Sequence, residues 1–142
     1  MPETTLRSHL AYLLAEAEQA VNRGLAESLS AEGVTVEQWR ILRALSHGYG
    51  HSMGDLAAAV LMPHPTLTKA VDRLVESALV YRRQDEADRR RVAVYLADRG
   101  CDLVRRLDEQ SVEHQSKIEA AYGAQRTERL MRELGRLVES LS

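Results

Sequence analysis

The chain has 142 residues, a formal net charge of −2 and an apolar share of 44%. That length suits one domain, or one subunit of a compact dimer. No apolar run approaches the ~20 residues of a membrane span, the opening MPETTLRSHL does not read as a signal peptide, and the single cysteine excludes an internal disulfide, so a reducing cytoplasm is the expected setting.

Only one Trp, five Tyr and no Phe are present, so the expected core is aliphatic and helical. In chain order, Thr4 or Thr5 stands ready to cap a long helix over residues 6–29. Leu6, Leu10, Leu13, Leu14, Ala17, Val21, Leu25 and Leu29 keep a helical period there. This helix carries more apolar surface than one small domain covers, which predicts a partner subunit. Gly33 breaks the chain. Thr35 then precedes Gln38 by three residues, the spacing of a capping box, and Trp39, Leu42 and Leu45 form the inner face of the helix that follows. Residues 46–50 (SHGYG) make a loop. Val34, Thr35 and Met53 sit where a short third strand has room to form.

Ser52 offers an N-cap oxygen to a helix with Leu56, Ala57 and Val60 on one face. A second helix begins near Pro63 to Pro65 and runs to about Ser77. Leu67, Val71 and Leu74 fall at i, i+4, i+7 and form its buried stripe. His64, Thr66, Thr68, Lys69, Asp72, Arg73 and Glu76 lie off that stripe. After Leu79 the period changes to two. Leu79, Val80 and Tyr81 lead into Arg82 and Arg83, residues 92–96 (VAVYL) answer them, and the polar QDEADRRR between reads as a hairpin tip. Helix, turn, helix and hairpin together make a winged helix. The second helix of such a motif fits a DNA major groove, and a basic hairpin reaches the neighbouring minor groove.

Asp98 is read as the cap of the next helix, with Gly100 in its first turn. Leu103, Val104, Leu107, Val112 and Ile118 mark it to about Tyr122, where Gly123 ends it. Thr127 or Gln125 is expected to begin the last helix, with Leu130, Met131, Leu134, Leu137, Val138 and Leu141 on one side. Apolar stripes therefore bracket the winged segment, and packing the two ends with those of a second subunit gives a helical dimer platform. Charge alone does not point to DNA. Between His64 and Arg91 seven Lys/Arg face five Asp/Glu, and the rest of the chain holds twelve against sixteen.

The segment over residues 52–96 resembles the MarR family of bacterial transcriptional regulators. The matching pattern is Gln38 and Trp39 with Ile41, Leu42 and Leu45, then Leu56 and Ala57, then Pro65, Thr66, Leu67, Thr68 and Lys69, then Val71, Asp72, Arg73 and Leu74. It closes with Leu79, Val80, Arg83 and the wing signature Asp88, Arg90, Leu96 and Gly100. The resemblance implies a mainly α fold with a small β-wing: one subunit, with a winged-helix DNA-binding lobe over 34–97 and dimerisation helices over 1–32 and 98–142. It also implies a homodimer on double-stranded DNA, a pseudo-palindromic operator, and release by a small aromatic or phenolic effector. The chain departs from the family's pattern at three places. Leu61 stands where the turn usually has Gly, Pro63 where the recognition helix usually has a capping Ser, and Ala78 where Gly usually precedes the wing. A branched residue disfavours positive φ, so Leu61 is expected to force a different turn.

The candidate DNA contacts are His64, Pro65, Thr66, Thr68, Lys69 and Arg73 on the helix, with Arg82, Arg83, Arg89, Arg90 and Arg91 on the hairpin. His64 and Pro65 stand at a helix N-terminus, which favours a phosphate. Asp88 stands two residues before Arg90 and is placed to orient its guanidinium, and the resemblance implies that Arg90 enters the minor groove. The bland alternative is a solvated polar face and a solvated charge run. His9, Tyr12, Trp39, Arg40 and Arg43 are candidate effector contacts, against the alternative that Trp39 is core and the arginines are surface pairs. Cys101 reads as an oxidant sensor or a quiet thiol. His47 and His51 are four apart, but Gly48 and Gly50 argue against a shared helix face, so no metal and no cofactor is expected. No nucleophile, base and orienting group come together, so no enzyme is expected. The remaining alternative is a winged helix that binds a protein partner rather than DNA.

Overall fold

The computed structural model describes residues 5–142. Thr4, one of the two expected caps, lies outside them. Six α-helices and a small sheet follow in order: α1 (Leu10–Ser30), α2 (Val36–Leu45), β1 (His51–Ser52), α3 (Met53–Val60), α4 (His64–Glu76), β2 (Val80–Gln84), β3 (Val92–Leu96), α5 (Asp98–Tyr122) and α6 (Ala124–Leu141). The backbone divides into two units. One holds residues 26–109; the other joins the chain's two ends, up to Leu25 and from Gln110 onward. No helix among the described residues is long and apolar enough to cross a membrane.

The unit of residues 26–109 holds nearly all of the buried core. Leu29, Ile41, Leu42, Leu45, Leu56, Leu67, Val71, Val94 and Leu107 are fully buried in it. The stripe Leu67, Val71 and Leu74 is the inner face of α4, as its spacing predicts. Two local caps also form as read. Thr35 Oγ1 accepts from Gln38 N at 3.1 Å while Gln38 Oε1 accepts from Thr35 N at 3.1 Å. Ser52 Oγ accepts from Asp55 N at 3.1 Å. The sheet is antiparallel in the order β1-β3-β2, with Val80 opposite Leu96 and Gln84 opposite Val92. Its third strand is His51–Ser52, paired with Val94 and Ala93, and not a segment at Val34 and Thr35 or at Met53.

Three helices of this unit end in the same way. In each, an amide five residues on reaches back to a carbonyl of the last turn: Val34 to Leu29 at 3.2 Å, Met62 to Ala57 at 3.2 Å, and Leu79 to Leu74 at 3.0 Å. This closure requires one residue in the left-handed region just before the returning amide. Gly33 meets the requirement after α1 with φ 71°, but Leu61 (φ 59°) and Ala78 (φ 58°) meet it after α3 and α4. Leu61 therefore does not force a different turn; it adopts the one that glycine would. A Cβ in this conformation costs roughly 1–2 kcal/mol. Leu61→Gly and Ala78→Gly are each expected to raise stability by about 1 kcal/mol, after the added freedom of glycine in the unfolded chain is subtracted. Urea unfolding midpoints check this, and a lower midpoint for both would show that the turns are not strained.

Other boundaries shift from expectation. The first helix does not run from Leu6: a 3-10 turn spans Leu6–Ser8, His9 is extended, and α1 starts at Leu10. Thr5 flanks that turn without a side-chain cap bond. Asp98 is the first residue of α5 rather than its cap, since Cys101 N already donates to Ala97 O at 2.9 Å. The last helix starts at Ala124, not at Gln125 or Thr127, because Gly123 at φ 107° makes the break and Thr127 is buried, its hydroxyl donating to Gly123 O at 2.8 Å. In the unit of the chain's ends the apolar stripes stay uncovered. Leu10, Leu13, Leu14 and Val21 on α1 are exposed, as are Leu130, Met131, Val138 and Leu141 on α6.

Candidate nucleic-acid interface

Burying Leu67, Val71 and Leu74 leaves the other side of α4 to solvent. His64, Pro65, Thr66, Thr68, Lys69 and Arg73 are all exposed there. Pro63 occupies the N-cap position with φ −60° and supplies no side-chain cap, so the first amides of α4 keep no side-chain partner from it. Thr68 is partly committed, because its hydroxyl donates to His64 O at 2.9 Å. Between α4 and the start of α2 lies a cavity of about 310 Å³, lined by Thr35, Gln38, Thr66, Lys69 and Arg73 among others.

The hairpin is braced by rings. Tyr81 and Tyr95 stack with centroids 5.4 Å apart, and the Arg83 guanidinium lies 4.4 Å above the Tyr95 ring. Its contact with Tyr95 raises the Arg83 pKa further. The tip, residues 85–91, is shaped by its own acids. Asp85 Oδ1 accepts from Ala87 N at 3.0 Å, and Asp88 Oδ1 accepts from Arg90 N at 3.1 Å and Arg90 Nε at 3.2 Å. Asp88 thus orients Arg90 as expected from the spacing, while the Arg90 side chain stays 92% exposed.

Those acids change the charge balance that the composition suggests. Arg82 is paired with Asp72 at 2.5 Å, Arg83 with Glu86 at 3.0 Å and Arg90 with Asp88 at 3.2 Å. Four of the seven basic residues remain: among the described residues no acid pairs with Lys69, Arg73, Arg89 or Arg91. Exposed, unpaired cations on a helix face and on a hairpin tip can meet phosphates without first giving up an internal partner.

Donation from the Arg90 amide, and then from its guanidinium, holds the Asp88 carboxyl below the usual carboxylate range. A carboxyl with a lowered folded pKa stabilises above its unfolded value, about 3.9, and that support is lost as pH falls through the lower folded value. The Arg90 amide resonance should therefore titrate with a midpoint below that of a free aspartate. A midpoint at or above the ordinary value would mean that the turn at Asp88 does not form in solution.

The candidate effector residues separate. Trp39, Arg40 and Arg43 line a second cavity of about 390 Å³ with Ala44, His47, Ala59, Val60 and Leu61. Trp39 is only half-buried, and its indole N–H is enclosed without a partner, so the inner face of α2 is Ile41, Leu42 and Leu45 instead. Arg43 donates to Ser46 Oγ at 3.0 Å and lies 3.7 Å from Asp108. His9 and Tyr12 belong to the other unit, and neither lines this cavity. His47, which the sequence did not mark as an effector contact, lines it; it sits in a stack with Tyr49 and His51, at 6.0 and 5.6 Å between successive centroids. Only its position one turn beyond Arg43 pointed to it. Cys101 is half-buried in the first turn of α5.

A helix-turn-helix followed by a braced two-stranded wing, with free cations on both, defines a winged-helix DNA-binding protein. A sequence model of the MarR family matches residues 32–91. The HTH-type transcriptional regulator FarR of Neisseria gonorrhoeae is 28% identical over 100% of this chain and 99% of its own length. The homoprotocatechuate degradative operon repressor of Escherichia coli is 27% identical over 88% of this chain and 84% of its own. The crystal structure of NadR in complex with 4-hydroxyphenylacetate is 28% identical, with a TM-score of 0.79 over 96% of this chain and 97% of that one. The chain is thus similar, over the winged lobe in the family model and over its whole length in these relatives, to MarR-family transcriptional regulators.

Proposed function

We propose that the chain represses transcription as a homodimer bound to a pseudo-palindromic operator, and leaves it when a small aromatic or phenolic effector binds. The observation that carries the reading is the set of exposed cations without acidic partners, Lys69 and Arg73 on α4 and Arg89 and Arg91 at the wing tip. The contacts assigned are Thr66 and Arg73 in the major groove, Arg90 in the minor groove, and His64, Pro65, Lys69, Arg89 and Arg91 on phosphates. Relatives that regulate transcription support this over a winged helix serving a protein partner or an enzyme, and a DNA partner supports a cytoplasmic setting. The dimer accounts for the uncovered stripes on α1 and α6, since exposed Leu10, Leu13, Leu130 and Val138 are more apolar surface than a lone subunit normally shows.

An effector fits the cavity at Trp39. Its apolar wall suits an aromatic ring, and Arg40, which no acid pairs with among the described residues, suits a carboxylate. NadR, which shares the fold, holds 4-hydroxyphenylacetate, a ligand of that chemistry. Release then requires tighter effector binding by the form that does not fit DNA. Footprinting on the DNA upstream of the protein's own gene tests the reading. Two protected half-sites about one helical turn, ~34 Å, apart are expected, and 4-hydroxyphenylacetate or a similar aromatic acid should remove both together. Uniform or absent protection would contradict it.

A further inference from the structure

We propose that Asp72 and Arg82 form a strut that sets the angle between the recognition helix and the wing, so that Arg82 positions the DNA-binding surface and does not itself hold a phosphate. The proposal rests on the DNA-binding reading above. Arg82 Nη2 donates to Asp72 Oδ1 at 2.5 Å, which joins β2 to α4 at a point ten residues apart in sequence. The turn through Ala78 and the buried core under Leu74 and Val80 hold the root of the wing to α4, and the ion pair adds a bond between them from the solvent side.

The strand's alternation places Arg82 for this task. Tyr81 and Arg83 lie on the face of the hairpin that carries the Tyr95 ring. Arg82 lies on the opposite face, in line with buried Val80 and beside buried Val94, its cross-strand partner. Its side chain is 34% exposed, the least of the ion-paired arginines among the described residues, against 92% for Arg90. A guanidinium held against α4 at the root of the wing is poorly placed to meet a phosphate that the tip can reach.

Charge gives a second reason. Asp72 is exposed on α4, the helix that carries Lys69 and Arg73, and an unpaired carboxylate there would repel the DNA backbone. Pairing with Arg82 cancels that charge and uses it to hold the wing. The two roles of Arg82 make opposite predictions for Asp72→Asn. If Arg82 is a phosphate ligand, removing the acid frees it and strengthens binding. If the pair is a strut, removing the acid loosens the wing and weakens binding.

Fluorescence anisotropy with duplex DNA from upstream of the protein's own gene separates the two, using Asp72→Asn, Arg82→Gln, the double variant, and the charge exchange Asp72→Arg with Arg82→Asp. Each single change should weaken binding about tenfold, the double change should be no worse than either, and the exchange should restore most of the affinity. The salt dependence of Arg82→Gln should match the wild type, while Arg89→Gln should lower the slope by about 1. Tighter binding by Asp72→Asn, additive losses, or a slope lowered by Arg82→Gln would overturn the strut while leaving the DNA-binding reading intact. A wild-type protein without salt-dependent duplex binding would defeat that reading itself. Thermal melts of all variants separate loosened wings from unfolded protein, and the charge exchange remains decisive should a single variant fail to fold.

Discussion

Replacing Gly100 with alanine is expected to destabilise the winged lobe by about 3 kcal/mol, the upper part of the range for forcing an atom into a closed site. A Cβ on Gly100 would lie 2.2 Å from Leu79 O and 2.7 Å from Leu96 Cδ1. The first obstacle is backbone and cannot rotate away. Leu79 O is also committed, because it accepts from Ala97 N at 3.0 Å. That bond ties the first turn of α5 to the residue entering the wing, so relief of the clash must pull the two apart. Gly100 is buried, and its role is close approach rather than an unusual φ. A urea melt of Gly100→Ala reads the effect directly, and an unchanged midpoint would show that α5 does not pack on Leu79 this closely. The glycine that the family resemblance places in register with the wing arginine is thus explained by packing, not by contact with DNA.

The second large effect is on binding. Lys69→Ala and Arg90→Ala should each weaken binding to operator DNA about tenfold, and together about a hundredfold, because the two contacts lie on separate elements. Lys69 is a free cation on α4, so its loss should act nearly uniformly across sequences and lower the salt slope by about 1. Arg90 is held by Asp88, so its loss should also relax preference for narrow, A·T-rich minor groove at the flanks of the site. Titrations at several salt concentrations check both. Wild-type affinity in both variants would remove α4 and the wing tip from the interface.

Local signals in the chain were legible in advance. The bonds between Thr35 and Gln38, the Ser52 cap and the turn at Asp88 each join residues two or three apart, and their spacing alone names the partners. The stripe Leu67, Val71 and Leu74 was equally plain, since one helix period explains all three. What escaped was long-range or too short to carry a period. Strand His51–Ser52 has two residues, and only its pairing with Val94 and Ala93 makes it a strand. The pair Asp72 and Arg82 joins a helix to a strand; alone, Asp72 reads as an exposed charge and Arg82 as one more DNA contact. Thr127 has the chemistry of an N-cap, yet Gly123 turns the chain earlier and Thr127 is buried within α6. At Leu61 the dislike of a branched side chain for positive φ, about 1–2 kcal/mol, does not change the turn, because the closure of α3 through Met62 N onto Ala57 O still forms.

The most direct test of the account is the salt dependence of wild-type binding to duplex DNA from upstream of the protein's own gene. Two subunits, each presenting free cations on α4 and at the wing tip, should make about six to ten phosphate contacts. The affinity should then fall roughly 10³–10⁵-fold between 50 and 200 mM salt. An affinity that hardly changes over that range would contradict the account, because it would mean that these cations do not face a nucleic acid.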